Sequence, residues 1–196
     1  MRRILSALSL AAIVPLAGCF DVDATIAITG DDQAEMNMQM TIGADLVAMM
    51  AGSGEDPCED MVREDQDDGS VICTENKSGS IEELMADPDM GEGLIIEKRP
   101  GGLYYVAFEL DDLTGEMGLG DDDMSAEEQA QMMAMMGSMF EGHSMVLNIA
   151  GAEVVETNGT ISDDGKTATY EIPLTKLLDA EATLPETFNA LVKPGT

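Results

Sequence analysis

Val22-Asp23-Ala24-Thr25-Ile26-Ala27-Ile28 and Met36-Asn37-Met38-Gln39-Met40-Thr41-Ile42 decide the fold class. In the first run Val22, Ala24, Ile26 and Ile28 alternate with Asp23, Thr25 and Ala27. In the second, the methionines and Ile42 alternate with Asn37, Gln39 and Thr41. Successive side chains of a strand face opposite ways, so each run is a strand with one apolar face. Gly30-Asp31-Asp32-Gln33 supplies turn chemistry between them and makes an antiparallel hairpin. The same reasoning predicts strands at Leu94–Arg99, 103–110, Ser144–Ala150, 152–157 and 167–172, and a last short one over 181–184. Helices are expected at about 44–50, at 80–85 behind the capping box Ser80-Ile81-Glu82-Glu83, and at 125–140 behind Ser125-Ala126-Glu127-Glu128. The fold class is therefore α+β: an antiparallel, twisted sheet with two or three helices packed on it.

Ahead of the first strand stand Arg2 and Arg3, an apolar stretch over 4–14, and Leu16-Ala17-Gly18-Cys19. A basic start, a short apolar segment and small residues before a cysteine make a lipoprotein signal, read as residues 1–18. Cys19 is then the lipidated residue of the mature chain. Two or three acyl chains hold a protein stably on a membrane, at roughly 0.8 kcal/mol per buried methylene. Phe20 rather than aspartate follows the anchor, which leans towards the outer membrane. The expected location is the bacterial cell envelope, facing the periplasm or exterior.

Composition narrows the function. The formal charge is −30, from 9 basic and 39 acidic residues, and loss of the signal makes it −32. Nucleic acid is excluded as a partner, because its phosphates repel such a chain. With no tryptophan and 4% aromatics, a stacking platform for sugars or bases is not expected. A single histidine rules out multi-histidine metal sites. No nucleophile elbow, phosphate loop or metalloprotease helix occurs, so the chain is read as a non-enzyme without a cofactor.

Beyond Cys19 the cysteines are Cys58 and Cys73. An even pair in an oxidising compartment reads as one disulfide, closing a polar loop placed at residues 51–79. Within it, Glu64 to Glu75 has some offsets of a calcium loop, but Glu64 and Gln66 occupy positions where aspartate is needed. A solvated charge run is the reading preferred.

Of 17 methionines, many fall in patterns. Met132, Met133, Met136, Met139 and Phe140 share one face of the expected helix with Met135. Packing explains such a stripe first. Two sharper readings remain open. The helix could cover an apolar groove and adapt to acyl chains, as flexible methionine surfaces do. Alternatively, thioethers bind Cu(I), and Met135, Met139, His143 and Met145 lie close in sequence.

The start Cys19-Phe20-Asp21-Val22-Asp23-Ala24-Thr25-Ile26-Ala27-Ile28 resembles the LppM-type envelope lipoproteins, in which a lipobox cysteine leads directly into an alternating strand. Ala152-Glu153-Val154-Val155-Glu156-Thr157-Asn158-Gly159-Thr160, continuing to Tyr170-Glu171-Ile172, is similar to that family's strand–Thr-Asn-Gly–strand segment. The similarity covers residues 19–42 and about 145–184; the cysteine pair and the methionine helix depart from it. The resemblance implies a mainly antiparallel β domain with helices, and envelope lipid or glycolipid binding. It carries over no catalytic residue.

The expected organisation is a signal peptide at 1–18, one lipid-anchored domain at 19–184 with an insertion at 111–143, and a tail at 185–196. The expected function is non-catalytic binding of lipid, glycolipid or an apolar partner in a methionine-lined groove. A Cu(I)-binding protein and a structural assembly partner are the alternatives. Cys19→Ser is expected to abolish incorporation of a fatty-acid probe and to leave the signal uncleaved, as read by metabolic labelling and mass.

Overall fold

The computed structural model describes residues 20–53, 56–87, 93–110, 137, 140–178 and 183–195. The signal segment, Cys19 and most of the methionine helix, including Met132, Met133, Met135, Met136 and Met139, lie outside them.

The hairpin decides the architecture as its sequence predicts. β1 (Phe20–Gly30) and β2 (Gln33–Ile42) pair antiparallel, with Phe20 opposite Ile42 and Ile26 opposite Met36. The turn places Asp32 at φ 59°, a conformation that aspartate tolerates better than most residues. α1 (Ala44–Ser53) follows, then β3 (Val62–Asp65), β4 (Val71–Ser80) and α2 (Ile81–Met85). β5 (Leu94–Arg99) and β6 (Leu103–Glu109) form a second hairpin. The chain continues through β7 (Ser144–Ala150), β8 (Glu153–Thr157), β9 (Thr160–Ile161), β10 (Thr167–Pro173) and α3 (Leu174–Leu177). It ends in β11 (Thr187–Lys193).

Among the described residues these strands make two sheets. The larger has the order β3-β4-β2-β1-β7-β10-β9 and the smaller β5-β6-β11-β8. The core lies between them. Ile26, Ile28, Ile149, Ala168 and Ile172 of the large sheet meet Tyr104, Val106, Phe188, Ala190 and Val192 of the small one, all at most 1% exposed. Phe188 stacks on Tyr170 of the large sheet at 5.6 Å and on Phe108 of its own sheet at 6.2 Å. Burying one such ring contributes roughly 1.5–3 kcal/mol.

The α+β class is observed, with three corrections of detail. First, β1 pairs parallel with β7, Val22 opposite Met145 through Ala27 opposite Ala150. The connection between them runs through β2 to β6 and is long enough for a parallel crossover. Second, the loop expected over 51–79 contains β4, which pairs with β2 over ten residues from Gln33–Ser80 to Ile42–Val71. Beyond Cys73 its side chains are polar on both faces, which conceals the period. The ladder to β2 and the Asn37–Asn76 amide pair across it hold it instead, with Lys77 paired to Glu75 of the same strand and to Asp87 just past α2. Third, residues 185–196 are not a tail. β11 is an interior strand between β6 and β8, and the domain extends past the expected limit of 184. Leu184, placed in a short strand by the sequence, packs on the main core outside any strand.

Two junctions bind the sheets together. At one, the Tyr104 hydroxyl accepts from the Asp32 backbone N–H at 2.9 Å and lies 2.9 and 3.0 Å from the Asp31 and Asp32 carboxylates. Lys98 Nζ donates to Asp31 at 2.6 Å. Hydrogen bonds from Lys98 and then Tyr104 hold the Asp31 carboxyl below its usual range. Burial pushes the Tyr104 phenol above its ordinary value. At the other junction the chain leaves β8 for β9 through Thr157-Asn158-Gly159. The Asn158 side chain donates to Thr187 O at 2.7 Å and accepts from Asn189 N–H at 2.8 Å, so an amide side chain continues the ladder beside β11. Thr157 Oγ1 donates to Asn189 O at 2.6 Å.

Gly159 admits no side chain at this corner. A Cβ there would lie 2.6 Å from Thr169 O and 2.7 Å from the Phe188 ring. Gly159→Ala is expected to cost about 1–3 kcal/mol as overpacking, read from urea denaturation. A phenol whose folded pKa is raised contributes stability below its unfolded value of about 10, and that contribution is lost as pH rises through the folded value. Tyr104→Phe is therefore expected to be less stable than wild type near pH 8. It should also lose less stability between pH about 8 and about 11, as followed by denaturation midpoints.

Candidate functional site

Two apolar surfaces qualify as binding sites. The first is the inner face of the large sheet. Met36, Met38 and Met40 share it with Val22, Ala24 and Ile26 of β1 and with Met145, Leu147 and Ile149 of β7. Its two ends are covered differently. The small sheet covers Ile26 and Ile149, and Met36 packs on that core. A second cluster of Ile42, Val71, Cys58 and Cys73, with Leu46 and Val47 of α1, covers the other end, and Met40 packs there. Met38 and Ala24 lie between. All three methionines are half-buried, so the stripe bridges two cores rather than filling one.

Cys58 and Cys73 are bonded, with Cα atoms 5.3 Å apart, within ordinary disulfide geometry. Both are buried in the second cluster. The pair is thus part of a small core and not only the staple of a peripheral loop. The calcium-like run folds as the β3–β4 hairpin. The Asp68 carboxylate accepts from Ser70 N–H at 3.0 Å and from its hydroxyl at 2.6 Å, which holds its pKa below the usual range. Asp68 serves the turn, and Asp65 pairs with Arg63.

The second surface lies on the outer face of the small sheet. A groove of about 380 Å³ is lined by Arg99, Pro100, Leu103, Tyr105, Glu156, Asn189 and Leu191. Tyr105 pairs with Leu191, and Leu191 with Glu156, so the floor runs across neighbouring strands. The register of β8 against β11 shifts between Leu191 and Val192, a bulge that bends this edge. Arg99 stands over the Tyr105 ring at 5.2 Å and is 2.5 Å from Glu97. The site therefore has an apolar floor, one oriented cation and acids at both sides. The volume falls in the range of small-molecule sites.

The groove expected from the sequence lies on the methionine helix, at Met132, Met133, Met136, Met139 and Phe140, of which the four methionines are outside the described residues. Of that set, Phe140 lies among the described residues and packs on the main core. One signal for the outer groove was present. In β6, Leu103, Tyr105 and Ala107 make the second face as apolar as the first, which a plain solvent-facing strand does not need. Leu191 was hidden in the expected tail. Of the copper set, Met145 lies on the inner face and Met135 and Met139 lie outside the described residues. The His143 ring Nδ1 is 2.8 Å from Asp21 Oδ2, while Ser144 N–H donates to Asp21 Oδ1 at 2.9 Å. Among the described residues no group of three or more His, Cys, Asp or Glu side chains could hold a metal ion. No helix there is long and apolar enough to cross a membrane.

The arrangement defines a class: a two-sheet α+β domain with an apolar core between the sheets. No family model and no curated protein matches the chain. Among solved structures, the folded domain of Mycobacterium tuberculosis LppM, determined by NMR, is similar at a TM-score of 0.53. The match covers 90% of this chain and 91% of that one, at 16% identity. The likeness is one of fold, and it is the fold that the resemblance in the sequence implied.

Proposed function

We propose that this chain is a lipid-anchored, non-catalytic protein of the bacterial envelope that binds the apolar chain of an amphiphile in the outer groove. The groove carries the reading. Leu103, Tyr105, Leu191 and Pro100 offer an apolar floor of ligand size, and Arg99 at the rim can meet a polar headgroup. The fold shared with the LppM folded domain and the lipobox at Leu16–Cys19 support the envelope setting. Phe20 after the anchor favours the outer membrane. A second reading puts the ligand on the inner face of the large sheet, with the methionines of the expected helix as its further lining. Half-buried Met38 and Ala24, and Phe140 on the adjoining core, favour it.

Native mass spectrometry of the protein extracted from its own membrane tests both. Leu103→Gln with Leu191→Gln is expected to remove most co-purified lipid, while Met132→Ser with Met136→Ser and Met139→Ser retains it. The reverse pattern moves the site to the methionines. Loss of Cu(I) from the triple variant would instead support the metal alternative.

A further inference from the structure

α1 has an apolar face with no partner among the described residues. Leu46 and Val47 pack on the second cluster, whereas Ala48, Met49, Ala51 and Gly52 are exposed, Met49 at 60%. From residue 46 to residue 54 the sequence has no ionisable side chain, in a chain with 39 acids. Among the described residues Met49 is the large apolar side chain that this helix leaves exposed.

Its place in the fold says what covers it. Phe20, the first residue of β1, pairs with Ile42, and α1 begins two residues after Ile42. Phe20 directly follows Cys19. One residue of chain spans at most about 3.6 Å, so a diacylglycerol on Cys19 holds the start of β1 against the headgroups without a linker. Adjacent strands are about 4.8 Å apart, and a ten-residue helix is about 15 Å long, so α1 lies within reach of the same surface. We infer that α1 is a membrane-contacting element, with the Met49 face seated in the headgroup layer of the bilayer that holds the anchor. This rests on the reading of Cys19 as the lipidated residue. The charges select the lipid. Asp45, Asp67 and Asp68 are exposed on α1 and on the adjoining β3–β4 turn, where Gly69 approaches Ala44. They repel an anionic surface, so the contact favours zwitterionic lipid.

The test uses the mature acylated protein in vesicles of phosphatidylethanolamine and phosphatidylcholine. Cys58 and Cys73 are paired and Cys19 is blocked by lipid, so an introduced cysteine takes a nitroxide uniquely. Labels at Met49→Cys and Ala48→Cys sit on the proposed contact, and Gln33→Cys, exposed at the opposite end of β2, reports bulk water. The expected result is collision with a water-soluble nickel chelate severalfold lower at 48 and 49 than at 33, with oxygen collision correspondingly higher. Equal nickel accessibility at the three positions overturns the inference. So does an intact mass without acyl chains on Cys19, which removes its premise. Neither outcome depends on whether the outer groove binds a ligand.

Discussion

Burial of Phe188 between Tyr170 and Phe108 is the contact on which the two-sheet arrangement depends. Phe188 comes from β11, the last strand, yet β11 fills the middle of the small sheet. Without it, β6 and β8 have no common neighbour and the outer groove loses Leu191 and Asn189 from its floor. The large sheet has the same property in another form. β1 is central to it, and its parallel partner β7 lies more than a hundred residues later. Both sheets are thus closed by contacts distant in sequence, whose loop-closure entropy must be met before packing stabilises them.

Local features were legible in the sequence because each is decided within a few residues. The β1–β2 hairpin follows from a clean period of two around Gly30–Gln33. The capping box at Ser80 is present as read, with Glu83 N–H donating to Ser80 Oγ at 3.2 Å and Ser80 N–H to the Glu83 carboxylate at 3.1 Å. The missed elements are those whose pattern is diluted or whose partner is remote. In β11, Phe188, Ala190 and Val192 keep the period, but apolar Leu191 faces outward to the groove and Pro185 and Pro194 flank the run. In β4, Asn76 and Lys77 read as loop and are held by β2 and Asp87. Of the candidate site, the apolarity of both faces of β6 was visible; the concavity needs β11 and β8 beside it.

The acidity leaves several of the few cations paired. Arg63 meets Asp56 and Asp65, Lys98 meets Asp31 and Asp32, and Lys193 meets Glu153 at 2.5 Å. These pairs are largely exposed and each contributes little to stability. Their effect is to leave a nearly unrelieved negative exterior. Arg99 is also paired, with Glu97, but it stands over the Tyr105 ring at the rim of an apolar groove. That places it beside the groove residues Leu103 and Tyr105.

The path of the chain between sheets bears on how the domain can be divided. β7 belongs to the large sheet, β8 to the small, β9 and β10 to the large, and β11 to the small again. The corner at Asn158 and Gly159 welds one of these passages, and Gly195 N–H donates to Ile28 O at 2.8 Å at the end of the last. Neither sheet is therefore a module that could be inherited, duplicated or expressed by itself. A truncation that removes the last dozen residues takes the centre out of one layer and uncovers the apolar face of the other. For this protein β11 is a keystone, joined late in the chain to strands laid down before it.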